Sequence, residues 1–418
     1  MELVVKKRVL FIFPVLPYPF YAGGIQALYN SFDSVKDDVD VFVMYDAPFY
    51  NQKKETLKSM RDATERVQVV PFVYNPLKGF YNFMLWLFFR ITLLLKFKKK
   101  NLDYYSSQLP SLFQIHIKEY TAFVNKFILE NKIDIVQMEL CSTLSHVLTL
   151  PPNVKKIFVH HELNYVVNEL RINQLGPTVN RLANVELAKM LEMGLLNKCD
   201  AVITLSEIDK QKLINEGVKS PIYPSFAVVN TSANNKNPND KCNELSFVGP
   251  AFHGPNFIGL TWFLENCWDK LLEKNSSYTL KIIGNWPEES RTALSQKYKN
   301  IQFLGFVTNL ADALNNTIMI VPITVGSGIR MKILEAASLG VPFVSTSVGA
   351  EGLPFESGKN CFLSDTPEAF VESILKLRDM SLRMEFAQKA NELVKEKYSM
   401  DALRRNRLEI YEKVMGAN

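Results

Sequence analysis

Short runs of apolar, β-favouring residues alternate along the chain with longer stretches whose apolar positions recur every three or four residues. That alternation is the signature of a parallel sheet covered by helices. It occurs twice. In the first half, strands are predicted at Arg8–Pro14, Asp38–Tyr45, Val67–Val73, Ile133–Glu139, Lys156–His160 and Ala201–Leu205, with helical stretches at Gln108–Glu130 and Asn180–Lys198. In the second half, strands are predicted at Glu244–Gly249, Thr279–Gly284, Ile301–Phe306, Ile318–Ile323 and Pro342–Thr346. The accompanying helices fall near Phe257–Glu273, Ser290–Tyr298, Leu310–Asn315 and Arg330–Leu339.

Between the halves, Thr231 to Lys241 reads TSANNKNPNDK, rich in Asn and without apolar periodicity, which is the composition of a linker. The domains expected are 1–228, a linker at 229–242, a second domain at 243–395, and a C-terminal helix at 396–418 that packs back toward the first domain. Thr366 is placed to cap a helix with Pro367 in its first turn. The fold class is α/β, two doubly wound, Rossmann-like domains facing each other across a cleft. Sheets of this kind bind ligands outside the carboxyl ends of their strands.

A chain of 418 residues is too long for one ordinary core. With 47% hydrophobic and 22% charged residues it is neither fibrous nor wholly disordered. The formal charge of +5 is not gathered into one block, so nucleic acid is not an expected partner. Cys141, Cys199, Cys242, Cys267 and Cys361 lie far apart, without zinc-like or disulfide spacing, and read as buried thiols of a reducing compartment. The apolar run Val9–Phe13 is short and continues into proline-rich sequence, so a signal peptide is not expected and a cytoplasmic location is.

Residues 80–97, FYNFMLWLFFRITLLLKF, are followed by Lys98, Lys99 and Lys100. The length approaches the roughly 20 residues of a spanning helix. Arg90 at its centre would cost about 2.5–3.5 kcal/mol there. The segment reads as a helix lying on a membrane surface through 80–100, at the inner face of the plasma membrane, with a helix buried in the first domain and a true span as the alternatives.

The stretch richest in chemistry is Val325 to Leu353, VGSGIRMKILEAASLGVPFVSTSVGAEGL. A strand ends in a loop holding Gly326, Ser327, Gly328 and Ile329, and a helix follows at once. Backbone N–H groups and the positive helix end at such a turn meet phosphate. Arg330 and Lys332 stand in the opening turn, where cations are unfavourable unless an anion is bound. Glu335, three positions after Lys332, is within reach of sugar hydroxyls.

This stretch resembles the donor-site segment of group 1, family 4 retaining glycosyltransferases of the GT-B fold. Their signature runs Gly-x-Gly, a Lys, Leu-Glu-Ala, Gly-x-Pro and Glu-Gly. Other pieces are similar along nearly the whole chain: Gly23-Gly24, His161-Glu162, Asp200 to Ser206, Phe247-Val248-Gly249, Pro255-Asn256, Trp262 to Leu264, Ile283-Gly284 and Gly305-Phe306-Val307. The resemblance implies that Glu335 holds the ribose of a nucleotide and that Arg330 and Lys332 neutralise its phosphates. It implies that Gly305, Phe306 and Val307 frame the base, with Gly249 on the same donor side. Gly23 and Gly24 would close over the diphosphate and His161, rather than its neighbour His160, would touch the transferred sugar. Many relatives carry a glutamate where this chain has Ser327, so sugar contacts are expected to pass to backbone amides of the glycine loop.

The activity implied is transfer of a sugar, with retention, from a UDP- or GDP-sugar to a glycan or lipid-linked glycan, in the assembly of bacterial surface polysaccharide. Neither a cofactor nor a metal is expected, because Arg330, Lys332 and the helix start are placed to meet the leaving charge without one. Two other readings use the same residues: a sugar-nucleotide epimerase, and a non-catalytic scaffold that binds a nucleotide sugar.

Overall fold

The computed structural model describes residues 6–18, 23–45, 54–64, 67–70, 72, 84, 118–229, 242–326 and 329–416. The apolar segment 80–100 apart from Met84, linker residues 230–241, and Ser327 and Gly328 lie outside the described residues.

The first sheet consists of β1 (Arg8–Phe13), β2 (Asp40–Tyr45), β3 (Val67–Val70), β4 (Ile135–Glu139), β5 (Lys155–His160), β6 (Ala201–Thr204) and β7 (Ile222–Pro224). These strands pair in parallel in the order β3-β2-β1-β4-β5-β6-β7. Every residue of β4 and β6 is buried, as expected for strands covered on both faces. The chain steps outward from β1 to β2 and β3, then returns to place β4 on the other side of β1. This reversal opens a crevice at the carboxyl ends of β1 and β4.

The second sheet contains β8 (Glu244–Val248), β9 (Thr279–Ile283), β10 (Ile301–Gly305), β11 (Ile318–Val321), β12 (Phe343–Ser345) and β13 (Phe362–Leu363), in the order β10-β9-β8-β11-β12-β13. Its reversal lies between β8 and β11, so the loops that follow these two strands are neighbours. Both sheets are α/β and doubly wound. Periodicity missed β7 and β13, whose three and two residues are too short to show alternation.

The chain divides into two compact units: Met1–Thr204 with Asp209–Pro224 and Arg407–Asn418, and Leu205–Ile208 with Ser225–Asn406. Thr366 caps the helix Pro367–Lys376, its hydroxyl accepting from the Ala369 amide. The helix expected at Phe257–Glu273 begins earlier, at Gly254, because Pro255 suits a first turn. It is then broken by a π-turn at Leu264–Trp268 before Asp269–Lys274. The Gly23-Gly24 pair opens a helix, Gly23–Asp33, which the sequence reading did not assign. Among the described residues no helix is long and apolar enough to cross a membrane.

Gly259 lets the helix Gly254–Phe263 lie against the end of β11. A Cβ there would come 2.6 Å from the Pro322 carbonyl oxygen. Gly259→Ala is therefore expected to destabilise the second unit by about 1–3 kcal/mol, the usual cost of forcing an extra carbon into a packed site. Urea denaturation followed by tryptophan fluorescence measures it, and an unchanged midpoint would contradict the close approach.

Candidate functional site

In the second unit, two helices begin at the sheet reversal: Gly254–Phe263 after β8 and Met331–Ser338 after β11. Lys332, the second residue of the latter helix, donates from Nζ to Asn256 Oδ1 at 2.7 Å. Asn256, the third residue of the former helix, also donates to the Pro250 carbonyl at 3.1 Å. Two helix N-termini are thereby clamped together, each carrying the positive end of its helix dipole. The Lys332 ammonium also lies 4.9 Å from the centre of the Phe247 ring.

Two glycines make this approach possible. At Gly249, φ is +152°, and a Cβ would come 2.5 Å from the Asn256 amide nitrogen. At Gly326, φ is +128°, and a Cβ would come 2.9 Å from Arg330 Nη2. Arg330, only 7% exposed, is the N-cap residue of the helix Met331–Ser338 and lies under this loop. Both positions favour glycine on backbone conformation as well as on space.

The electrostatics follow from three cationic side chains around Asn256. Burial, and then Arg330, bring the Lys332 ammonium down to about 7, with Glu335 opposing them. Burial raises the Glu335 carboxyl, with Lys332 acting against it. His253, the N-cap residue of the other helix, is lowered by partial burial of its ring, then by Lys332 and Arg330. The sequence offers His253, with Asn256, only as a candidate ligand contact in the loop after Val248-Gly249, because Arg330 and Lys332, which give it meaning, belong to a helix start more than seventy residues on in the chain. The arrangement attracts an anion: two helix ends and a group of cations whose mutual repulsion an anion would relieve.

Of the other residues expected on the donor side, Phe306 is 58% exposed and follows β10, the edge strand, with Val307 beside it. Glu335 and Ile329 belong to the same helix and loop as Lys332 and Arg330. Ser327 and Gly328 are not among the described residues.

In the first unit, Gly23 and Gly24 begin the helix that follows β1, while Glu139 ends β4 and His161 follows β5. His161 Nε2 lies 2.6 Å from Glu139 Oε2, and its side chain is 14% exposed. Glu139 is fully buried, and its Oε1 accepts from Gln137 Nε2 at 2.5 Å and from the Ser31 hydroxyl. His160 has a different role. Its fully buried ring lies 2.7 Å from Glu192, which also accepts from the Asn164 and Tyr165 amides at the start of the helix Asn164–Leu175. Cys141 joins His160 and Glu192, the donor atoms lying within 4.8 Å of one another. With Glu192 already receiving a ring and two backbone amides, the cluster is a helix cap.

The fold defined by these two sheets is that of GT-B glycosyltransferases. Across 99% of this chain it is similar to TarM of S. aureus, with a TM-score of 0.70 at 13% identity over 99% of that chain. It is also similar to sucrose-phosphate synthase from Thermosynechococcus elongatus, with a TM-score of 0.71 at 12% identity over 99% of this chain and 100% of the other. HepE from Anabaena, solved in complex with UDP, gives a TM-score of 0.64 at 13% identity over 97% and 100%. Residues 243–379, which carry the clamped helices, match the family Glycosyl transferases group 1. A curated relative, an uncharacterised 44.6 kDa protein in the cps region of Klebsiella pneumoniae, is 29% identical over 168 residues. That match spans 38% of this chain and 42% of the relative.

The lowered Lys332 makes anion binding proton-linked. At pH 8 the free ammonium is mostly deprotonated, and a bound anion raises its pKa, so binding takes up a proton and weakens as pH rises above 7. Titrating inorganic pyrophosphate calorimetrically in two buffers of different ionisation enthalpy should show uptake approaching one proton at pH 8. Affinity should fall by up to about tenfold per pH unit. In Lys332→Met the proton uptake should disappear; its persistence would assign the titration to another group.

Proposed function

We propose that this protein transfers a sugar, with retention, from a uridine or guanosine diphosphate sugar to a glycan or lipid-linked glycan in the synthesis of a surface polysaccharide. The observation that carries the reading is the clamp of two helix N-termini through Lys332 and Asn256, with Arg330 and His253 beside it. During transfer, the bond between the sugar's anomeric carbon and the diphosphate breaks, its electron pair passes to the leaving phosphate oxygen, an acceptor hydroxyl oxygen bonds to that carbon, and the hydroxyl's proton passes to the departing diphosphate. Arg330, Lys332 and the two helix ends meet that growing charge with dipoles and cations already in place, so no metal ion is required. Glu335, on the same helix, takes the ribose hydroxyls as a bidentate acceptor. Phe306 and Val307 border the base. In the first unit, His161 backed by Glu139 acts on a sugar hydroxyl.

Support for a uridine nucleotide comes from structural neighbours solved with UDP, and in the case of HepE with UDP-glucose. Support for a polysaccharide product comes from the cps-region relative. Retention follows from the resemblance of the donor segment to the retaining family. A lipid-linked acceptor agrees with the aromatic, lysine-flanked sequence of residues 80–100, which would lie on the inner face of the plasma membrane.

Lys332→Ala and Glu335→Ala should each lower sugar transfer by about 100-fold or more, the scale for removing one preorganised electrostatic contact, while the variants still fold. Turnover of labelled UDP-sugar into glycan or lipid by a membrane extract measures this. Full activity in either variant, at donor concentrations below saturation, would remove the assignment. Removing the aromatic residues of 80–97 should release the protein from vesicles containing anionic lipid; continued flotation with them would rule out that attachment.

A further inference from the structure

The polar groups behind His161 form a directed chain that ends on the C-terminal helix. Tyr411, on the helix Met400–Gly416, donates its hydroxyl to Gln137 Oε1 at 2.7 Å. Gln137 Nε2 donates to the Ser31 hydroxyl at 2.9 Å and to Glu139 Oε1 at 2.5 Å. The Ser31 hydroxyl donates in turn to Glu139 Oε1. Tyr411, Gln137 and Glu139 are at most 1% exposed and Ser31 is 4% exposed, so water does not supply alternative partners. At the far end, Glu139 Oε2 faces His161 Nε2 at 2.6 Å.

The direction of the chain follows from its first link. A tyrosine hydroxyl can donate or accept, but a glutamine amide offers a carbonyl on one side and N–H on the other. With the phenol donating to the carbonyl oxygen, the amide must aim its N–H groups at Ser31 and Glu139. If the amide were reversed, its carbonyl oxygen would face a buried carboxylate with no proton between them, an arrangement that costs the desolvation of both. Burial raises the Tyr411 phenol far above its ordinary range, so it remains a protonated donor at every pH at which the protein folds.

We propose that Tyr411, Gln137 and Ser31 are positioning residues for the transfer reaction, which hold Glu139 as a carboxylate that takes its last hydrogen bond from His161 Nε2–H. His161 is then kept in one tautomer. Its Nδ1 lone pair is reserved as a hydrogen-bond acceptor for a substrate hydroxyl. The part played toward substrate rests on the transferase reading above; the directed chain itself does not.

The full-length protein, labelled with 15N-histidine, tests both parts. It has five histidines, and a His161→Gln spectrum identifies the signal of interest. Without substrates, His161 should be protonated at Nε2 and bare at Nδ1. Tyr411→Phe, which keeps the ring and its packing, should mix the two tautomers. It should also lower kcat by about tenfold or more, since a misassigned tautomer costs far more in hydrolytic triads, while KM for the donor changes less than twofold. Glu139→Gln should abolish the tautomer preference. A purely structural role for Tyr411 would lower the melting temperature and leave both tautomer and kcat as in the parent, and that result overturns the proposal, as does a wild-type His161 protonated at Nδ1. A protein that shows the locked tautomer but transfers no sugar refutes the transferase reading and upholds the chain. A transferase whose tautomer ignores Tyr411 refutes the chain alone.

Discussion

A lysine ammonium held by a neutral amide, rather than by a carboxylate, is the constraint around which the second unit is built. Lys332 and Asn256 join the starts of two helices that come from opposite sides of the sheet reversal. Burial and Arg330 make the ammonium uncomfortable as a cation. The site is therefore preloaded with unfavourable charge, which an arriving anion would relieve. Such an arrangement resembles a sprung catch: it costs stability before the anion arrives and returns the energy as binding.

The first unit solves a different problem, that of holding one exposed imidazole in one orientation. It does so with a carboxylate that has no solvent of its own. Three donors converge on Glu139, and only His161 reaches the surface. Neighbouring His160 is spent on helix capping through Glu192. Two adjacent histidines thus have opposite fates because alternate residues at a strand end leave on opposite faces.

Much of this fold was legible in the sequence because buried parallel strands are written as continuous apolar runs, as in IMIV of β11 and LFIF within β1. The glycine-bounded start of Met331–Ser338 was legible for the same reason, its loop, cations and glutamate being contiguous. Short strands such as β13 carry too few residues to show a period. The network behind His161 was invisible because directly bonded members are separated by up to 274 positions, and a Tyr, a Gln and a Ser each look unremarkable in isolation. His253 could be marked only as a candidate contact in its loop, since its setting comes from Lys332 and Arg330.

The chain passes from one compact unit to the other at Thr204, Ile208, Pro224 and Asn406, so neither unit is a continuous stretch of sequence. A fragment ending before Arg407 would keep every strand of the first sheet and yet leave the Gln137 carbonyl without its phenol. Recombining halves from related proteins at the linker would carry the same penalty in subtler form: the incoming tail would have to bring a tyrosine to the right turn of its last helix. The terminal segment is inherited with His161, although the whole second sheet separates the two along the polypeptide.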